Sequence, residues 1–148
     1  MKKAMASGLC LLIAGAAAIG AIPEKQKSEE AAIRQVVQLY FDGIIKYEED
    51  ALRKAFHPRA NIIGTTGEGT VDWEPFQEWV LYTRKDAPDP AGRNNSIVSI
   101  DITGNAAVVK TDLAWPHVHY VDYLSLLKIE GRWVIVNKTW NREKPKAR

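Results

Sequence analysis

Apolar and polar positions alternate with a period of two through residues 96–103, 106–113, 120–129 and 132–140, and with the wider spacing of a helix through residues 28–47. The alternating runs come in pairs. Gly104-Asn105 separates the first pair and Glu130-Gly131 the second, so two antiparallel hairpins are predicted. Counting back from Glu130-Gly131 pairs Ile129 with Arg132 and Asp122 with Thr139, which puts Asp122 on the face that carries Leu124, Leu126, Trp133 and Ile135. In the first hairpin Val98, Ile100 and Ile102 share a face with Ala107, Val109 and Thr111. Ser99, Asp101 and Lys110 share the other, with Asp101 and Lys110 as a solvated pair.

Upstream, Ala32, Ile33, Val36, Val37, Tyr40, Phe41 and Ile44 mark the buried stripe of a helix from Ser28 to about Tyr47, with Glu29 and Glu30 in its first turn where the dipole favours acids. A second helix over Glu48–Phe56 stops at His57-Pro58, because the residue before proline is pushed out of helical geometry. Asn61–Gly64 and Gly69–Trp73 read as short strands. A third helix over Glu74–Lys85 starts at Pro75 and buries Phe76, Trp79, Val80 and Thr83. The proline-rich stretch 86–95 is a loop, and Trp115-Pro116-His117 connects the two hairpins. Three helices followed by long antiparallel strands give an α+β fold, the helices packed on the concave face of a strongly curved antiparallel sheet. Such a sheet encloses a cone whose mouth suits a small molecule.

The N-terminus changes the picture of where this domain works. Lys2-Lys3 precede an Ala-rich apolar run, Gly8–Ile22, shorter than the about 20 residues a membrane span needs. Residues 1–21 therefore read as a signal peptide cleaved near residue 20, with an uncleaved anchor as the alternative, and the mature protein is expected in the periplasm or medium, off the membrane. Residues 22–28 follow as a flexible N-terminus, 29–141 as one domain and 142–148 as a disordered tail. The single cysteine, Cys10, falls in the signal, so disulfides and thiol nucleophiles are excluded from the mature chain. The whole chain has 20 basic and 18 acidic residues, and the signal takes two lysines and no acid. A balanced charge argues against a nucleic-acid groove.

Asp122 is the residue that asks for a chemical explanation, since a carboxylate on an apolar strand face is costly to bury without hydrogen bonds or a proton. Tyr40, Trp73, Phe76, Trp115, Tyr120 and Trp133 are candidate cavity walls or plain core. His117 and His119 would point the same way on a strand, but no third metal ligand has a characteristic spacing. No phosphate loop, dinucleotide fingerprint or nucleophile elbow occurs, so neither a metal nor a cofactor is assigned.

The strings VVQLYF, AFHPRANIIG, SIVSIDITGNAAVVKTDL and VDYLSLLKIEGRWVIVNKTW resemble the NTF2-like superfamily along nearly the whole mature chain, and within it the SnoaL-like and lumazine-binding branch. The resemblance implies the same cone. It leaves function open, because this fold hosts isomerases, dehydratases, cyclases and association domains. VVQLY and VDYL further resemble segments of bacterial ketosteroid isomerase, which implies that Tyr40 and Asp122 fall on the oxyanion-hole pair of that enzyme, a worked example of a carboxylic acid kept neutral to donate a hydrogen bond. The same comparison sets Gly64 at the position of its general base, and glycine carries no proton. His57 is then the candidate acid/base. The leading expectation is an exported domain that binds a small, partly apolar molecule in an aromatic cavity. One alternative is an isomerase, dehydratase or cyclase-like enzyme that polarises a carbonyl with Tyr40 and Asp122. The other is an association domain that homodimerises through an open sheet face bearing Tyr123, Val134, Val136 and Trp140.

Overall fold

A computed structural model describes residues 23–65, 69–82 and 91–143. The expected signal segment, residues 83–85 of the expected third helix, most of the proline-rich loop and the basic tail beyond Glu143 lie outside the described residues.

Helix α1, Glu24–Lys46, starts directly after Pro23 and buries Ile33, Val37, Tyr40, Phe41 and Ile44. It begins four residues before the expected start, so most of the segment read as flexible is helical. Tyr47 ends it in the left-handed conformation (φ 57°) with its N–H on the Gly43 carbonyl. Helix α2, Glu49–Ala55, packs closely against α1, since a Cβ on Gly43 would come 2.5 Å from the Leu52 side chain. Strand β1, Phe56–Thr65, runs straight out of α2, and β2, Val71–Pro75, returns beside it. Helix α3 is confined to Phe76–Tyr82 among the described residues, with Phe76 and Val80 buried. Strands β3 (Asn94–Thr103), β4 (Ala106–Ala114), β5 (His119–Ile129) and β6 (Arg132–Glu143) complete one sheet in the order β2-β1-β6-β5-β4-β3. Among the described residues no helix is long and apolar enough to cross a membrane.

The α+β cone is the one expected, with a correction: the sheet is mixed. Strand β6 pairs antiparallel with β5 on one side and parallel with β1 on the other. Sequential hairpins are visible in a local pattern, whereas the parallel pairing of Asn61 with Asn137 is not. The Glu130-Gly131 turn forms as read, both residues at positive φ (49° and 79°), and Ile129 faces Arg132.

Register is where alternation misleads. Two β-bulges, each inserting one residue, reset the faces. In β3 the shift lies between Ile97 and Ser99, so Ile97 faces Thr111, and Val98, expected inside, is 54% exposed. On the turn side of the bulge Ser99 faces Lys110 and Asp101 faces Val108, so Ser99, Asp101 and Lys110 share a face as expected, and the Lys110 ammonium lies over the Tyr123 ring. In β6 the shift falls at Val136. Leu126 faces Ile135, but Leu124 then faces Lys138 and Asp122 faces Trp140, not Thr139. The bulge thus turns Lys138 and Trp140 onto the concave face. Strand β6 also continues through Arg142 and Glu143, which were read as disordered tail.

The core fills the space between helices and concave face. Tyr40 meets Phe56 edge-on at 5.5 Å, and Phe56 stacks on Phe76 at 4.9 Å. At the opposite end of the sheet, Glu29 of α1 accepts from Lys128 at 2.7 and 2.9 Å and from the Trp133 indole at 2.8 Å, fastening the helix to β5 and β6.

Candidate functional site

A cavity of about 210 Å³ opens between α1, α3 and the concave face, below the about 300–1,000 Å³ of drug-sized pockets. Ile44, Ile62, Leu113 and the rings of Trp79, Trp115, Tyr120 and Trp140 form its apolar walls. Trp115, Tyr120 and Trp140 form an edge-to-face series at 5.7 and 5.9 Å. Around Trp115 the chain is braced twice: its indole donates to Asn95 at 2.8 Å, and the Arg93 guanidinium lies 4.4 Å from its ring centroid.

The polar end is built from three strand and helix positions. Tyr40 projects from α1, Asp122 from β5 and Lys138 from β6, and all three are buried. The Tyr40 hydroxyl donates to Asp122 Oδ2 at 2.5 Å and accepts from Lys138 Nζ at 3.3 Å. Lys138 also lies over the rings of Trp79 (4.7 Å) and Tyr40 (5.4 Å). Burial pulls the Lys138 amine below the usual lysine range, against the opposing charges of Asp122 and Glu74. Burial, then the adjacent Asp122, pushes the Tyr40 phenol well above its ordinary value, so Tyr40 keeps its proton. Tyr40 and Asp122 are therefore brought together, but bonded to each other: the carboxyl accepts from the phenol.

Other candidate residues lie elsewhere. His57 is half-buried on β1, its Nδ1 accepting from the Arg59 N–H at 3.1 Å, and it does not line the cavity. Trp73 is 64% exposed, Phe76 is enclosed in the aromatic core, and Trp133 is held by Glu29 at the far end of the sheet. Trp115 and Tyr120 line the cavity as expected. Trp140, expected on the open face, lines it too. Gly64 has a physical reason: a Cβ there would fall inside the Trp140 indole, so that ring occupies the space a base at this position would use. Asp72, opposite Gly64 on β2, brings a carboxylate to the rim. His117 is exposed. His119 is buried on the opposite sheet face, its Nε2 3.0 Å from Asp112 and its Nδ1 3.0 Å from Glu143. Among the described residues no cluster of three or more His, Cys, Asp or Glu is disposed to hold a metal ion.

Lys138, Trp79, Trp140 and Asp72 were not identified from the sequence. Trp79 was placed on the right helix and taken for core. Lys138 carries no local signal, because simple alternation from Trp133 and Ile135 puts it outside.

Residues 28–141 match the family described as "Putative lumazine-binding". The chain belongs to this family. The aldolase FrzH of Cladobotryum sp. is 28% identical over 120 residues, spanning 77% of this chain and 91% of that protein. An NTF2-like protein of unknown function from Shewanella baltica has the same architecture, with a TM-score of 0.73 at 28% identity over 83% of this chain and 98% of that one. The fold extends to the association domain of C. elegans CaMKII, with a TM-score of 0.59 at 18% identity over 82% of this chain and all of that one. The lumazine-binding family and its NTF2-like neighbours thus agree with the curved mixed sheet and three helices.

Proposed function

We propose that this domain binds a small, partly apolar carbonyl compound, its body against Trp79, Trp115 and Trp140 and its oxygen at Lys138. The donor balance of Lys138 carries the reading. An ammonium has three N–H donors, and only Tyr40 accepts from it among the described residues, with no carboxylate in ion-pair contact. A carbonyl oxygen supplies the acceptor a buried ammonium needs. Lumazine, a flat heterocycle with carbonyl oxygens, and the carbonyl chemistry of an aldolase both accord with such a site.

Titration with lumazine and with cyclohexanone, followed through tryptophan fluorescence, tests the reading. Saturable quenching is expected for wild type and for Trp73→Phe, weakened about tenfold or more in Lys138→Met. Equal binding by wild type and Lys138→Met, or no saturable binding of either compound, would overturn it.

A catalytic role is the second reading, favoured by the aldolase relative and by an Asp122–Tyr40–Lys138 chain able to polarise a carbonyl. His57 has no part in it. Asp72 is the rim carboxylate available to take a proton. We further propose export before folding, from residues 1–21, and homodimerisation through the outer sheet face, where Val108, Tyr123 and Leu127 are 48%, 46% and 41% exposed. Light scattering on Tyr123→Lys tests the second point, with a monomer expected.

A further inference from the structure

We infer that Lys138 is a covalent attachment point, its amine condensing with a ketone or aldehyde of the bound compound to form an iminium. The inference rests on the carbonyl-binding reading of the same cavity and adds a bond to it.

The argument begins with placement. A lysine on a strand normally sends its ammonium to water, yet the Val136 bulge turns Lys138 inward, opposite Leu124 and between β1 and β5. Lys138 is 7% exposed and lines the cavity, with its Nζ 4.7 Å from the Trp79 ring centroid. The surroundings are mainly aromatic, and a desolvated lysine in an apolar pocket is the setting in which the neutral, nucleophilic amine becomes accessible near neutral pH. The lowered amine pKa agrees with that placement.

The neighbours fit the proton traffic. Attack of the nitrogen lone pair on the carbonyl carbon forms a C–N bond and moves the C=O π pair to oxygen, giving a carbinolamine after proton transfer. Loss of the oxygen as water then forms C=N. Overall, ammonium and ketone become iminium and water, both hydrogens of the water coming from nitrogen, with no change of charge and no oxidant or reductant. Tyr40, bonded to Lys138 on one side and to Asp122 on the other, is placed to carry those protons from nitrogen to oxygen. The iminium is an electron sink, so the class of ligand is a carbonyl compound whose α-carbon is to lose a proton or form a carbon–carbon bond.

Incubation of the protein with cyclohexanone and sodium cyanoborohydride, followed by peptide mass mapping, tests this. An adduct equal to the probe less its oxygen is expected on the Lys138 peptide, with no comparable labelling of exposed Lys46 or Lys54. Tyr40→Phe should slow labelling about 100-fold. Lys138→Arg, which keeps a cation and its donors, should bind lumazine and give no adduct. Lumazine, whose carbonyls belong to amides, should bind wild type and leave no adduct. Saturable cyclohexanone binding without an adduct at Lys138 overturns the covalent step and leaves the carbonyl-binding reading intact. Labelling spread evenly over exposed lysines overturns it as well. Absence of binding by both compounds overturns the reading beneath it.

Discussion

Tyr40 of α1 and Asp122 of β5 are joined by a buried hydrogen bond of 2.5 Å across 82 residues of sequence. It couples the first helix to the middle of the sheet at the point where the cavity begins. A buried bond to a carboxyl group contributes about 1.5–3 kcal/mol, and each partner left alone pays a desolvation penalty. In a double-mutant cycle with Tyr40→Phe and Asp122→Asn, urea unfolding should therefore give a coupling energy of about 1.5–3 kcal/mol. Additive effects would mean the pair is not energetically linked.

Lys138 is expected to be retained at some expense to stability. Replacing a buried charge with an apolar chain of similar length is often neutral or stabilising. Lys138→Met should unfold within about 1 kcal/mol of wild type at pH 7, or above it. The pH dependence has a definite sign. Burial holds the folded amine below 10.5, so between the two values the unfolded chain binds more protons and wild-type stability rises with pH. Stability curves of wild type relative to Lys138→Met should converge or cross upward as pH rises toward 10. Comparison stops there, since Tyr40, raised above 10.0, contributes the opposite slope at higher pH.

Glu29 acts in the acid range. Hydrogen bonds from Lys128 and Trp133 hold its carboxyl below 4.5, so its contribution is fully present above 4.5 and is lost as pH falls through the lower folded value. Thermal melts of wild type should fall more steeply below that point than those of Glu29→Gln, which has no proton to bind. Parallel curves would show that the clamp carries no acid-sensitive stability.

Gly64→Ala is expected to be destabilising by about 1–3 kcal/mol, because its Cβ would overlap the Trp140 ring held between β1 and β5. Displacement of that ring also narrows the cavity. Chemical denaturation and lumazine titration on the same variant should report both effects together.

Much of this is legible in the sequence, for a local reason. Turns such as Glu130-Gly131 and the stripe from Ile33 to Ile44 are written in neighbouring residues, and so is the pairing of Ile129 with Arg132. Asp122 stands out because a carboxylate sits on an apolar strand face, whereas its pairing with Tyr40 is what the resemblance to ketosteroid isomerase implies. Lys138 does not stand out, since its inward aim depends on one added residue at Val136, and a bulge leaves no mark in a run of alternating residues. His57 was misplaced because FHP reads as a helix end, whereas Phe56 already begins a strand and carries His57 away from the cavity.

Strand β6 is the last element of the fold in chain order, yet it sits between β1 and β5 in the interior of the sheet. It brings both Lys138 and Trp140 to the cavity. A chain that folds from its N-terminus can form α1, α2 and the earlier hairpins, but the β1 edge stays open until β6 inserts. Assembly of the domain and completion of its site are therefore one event. A chain shortened before Lys138 would lack the site's amine and the parallel seam that joins its two halves.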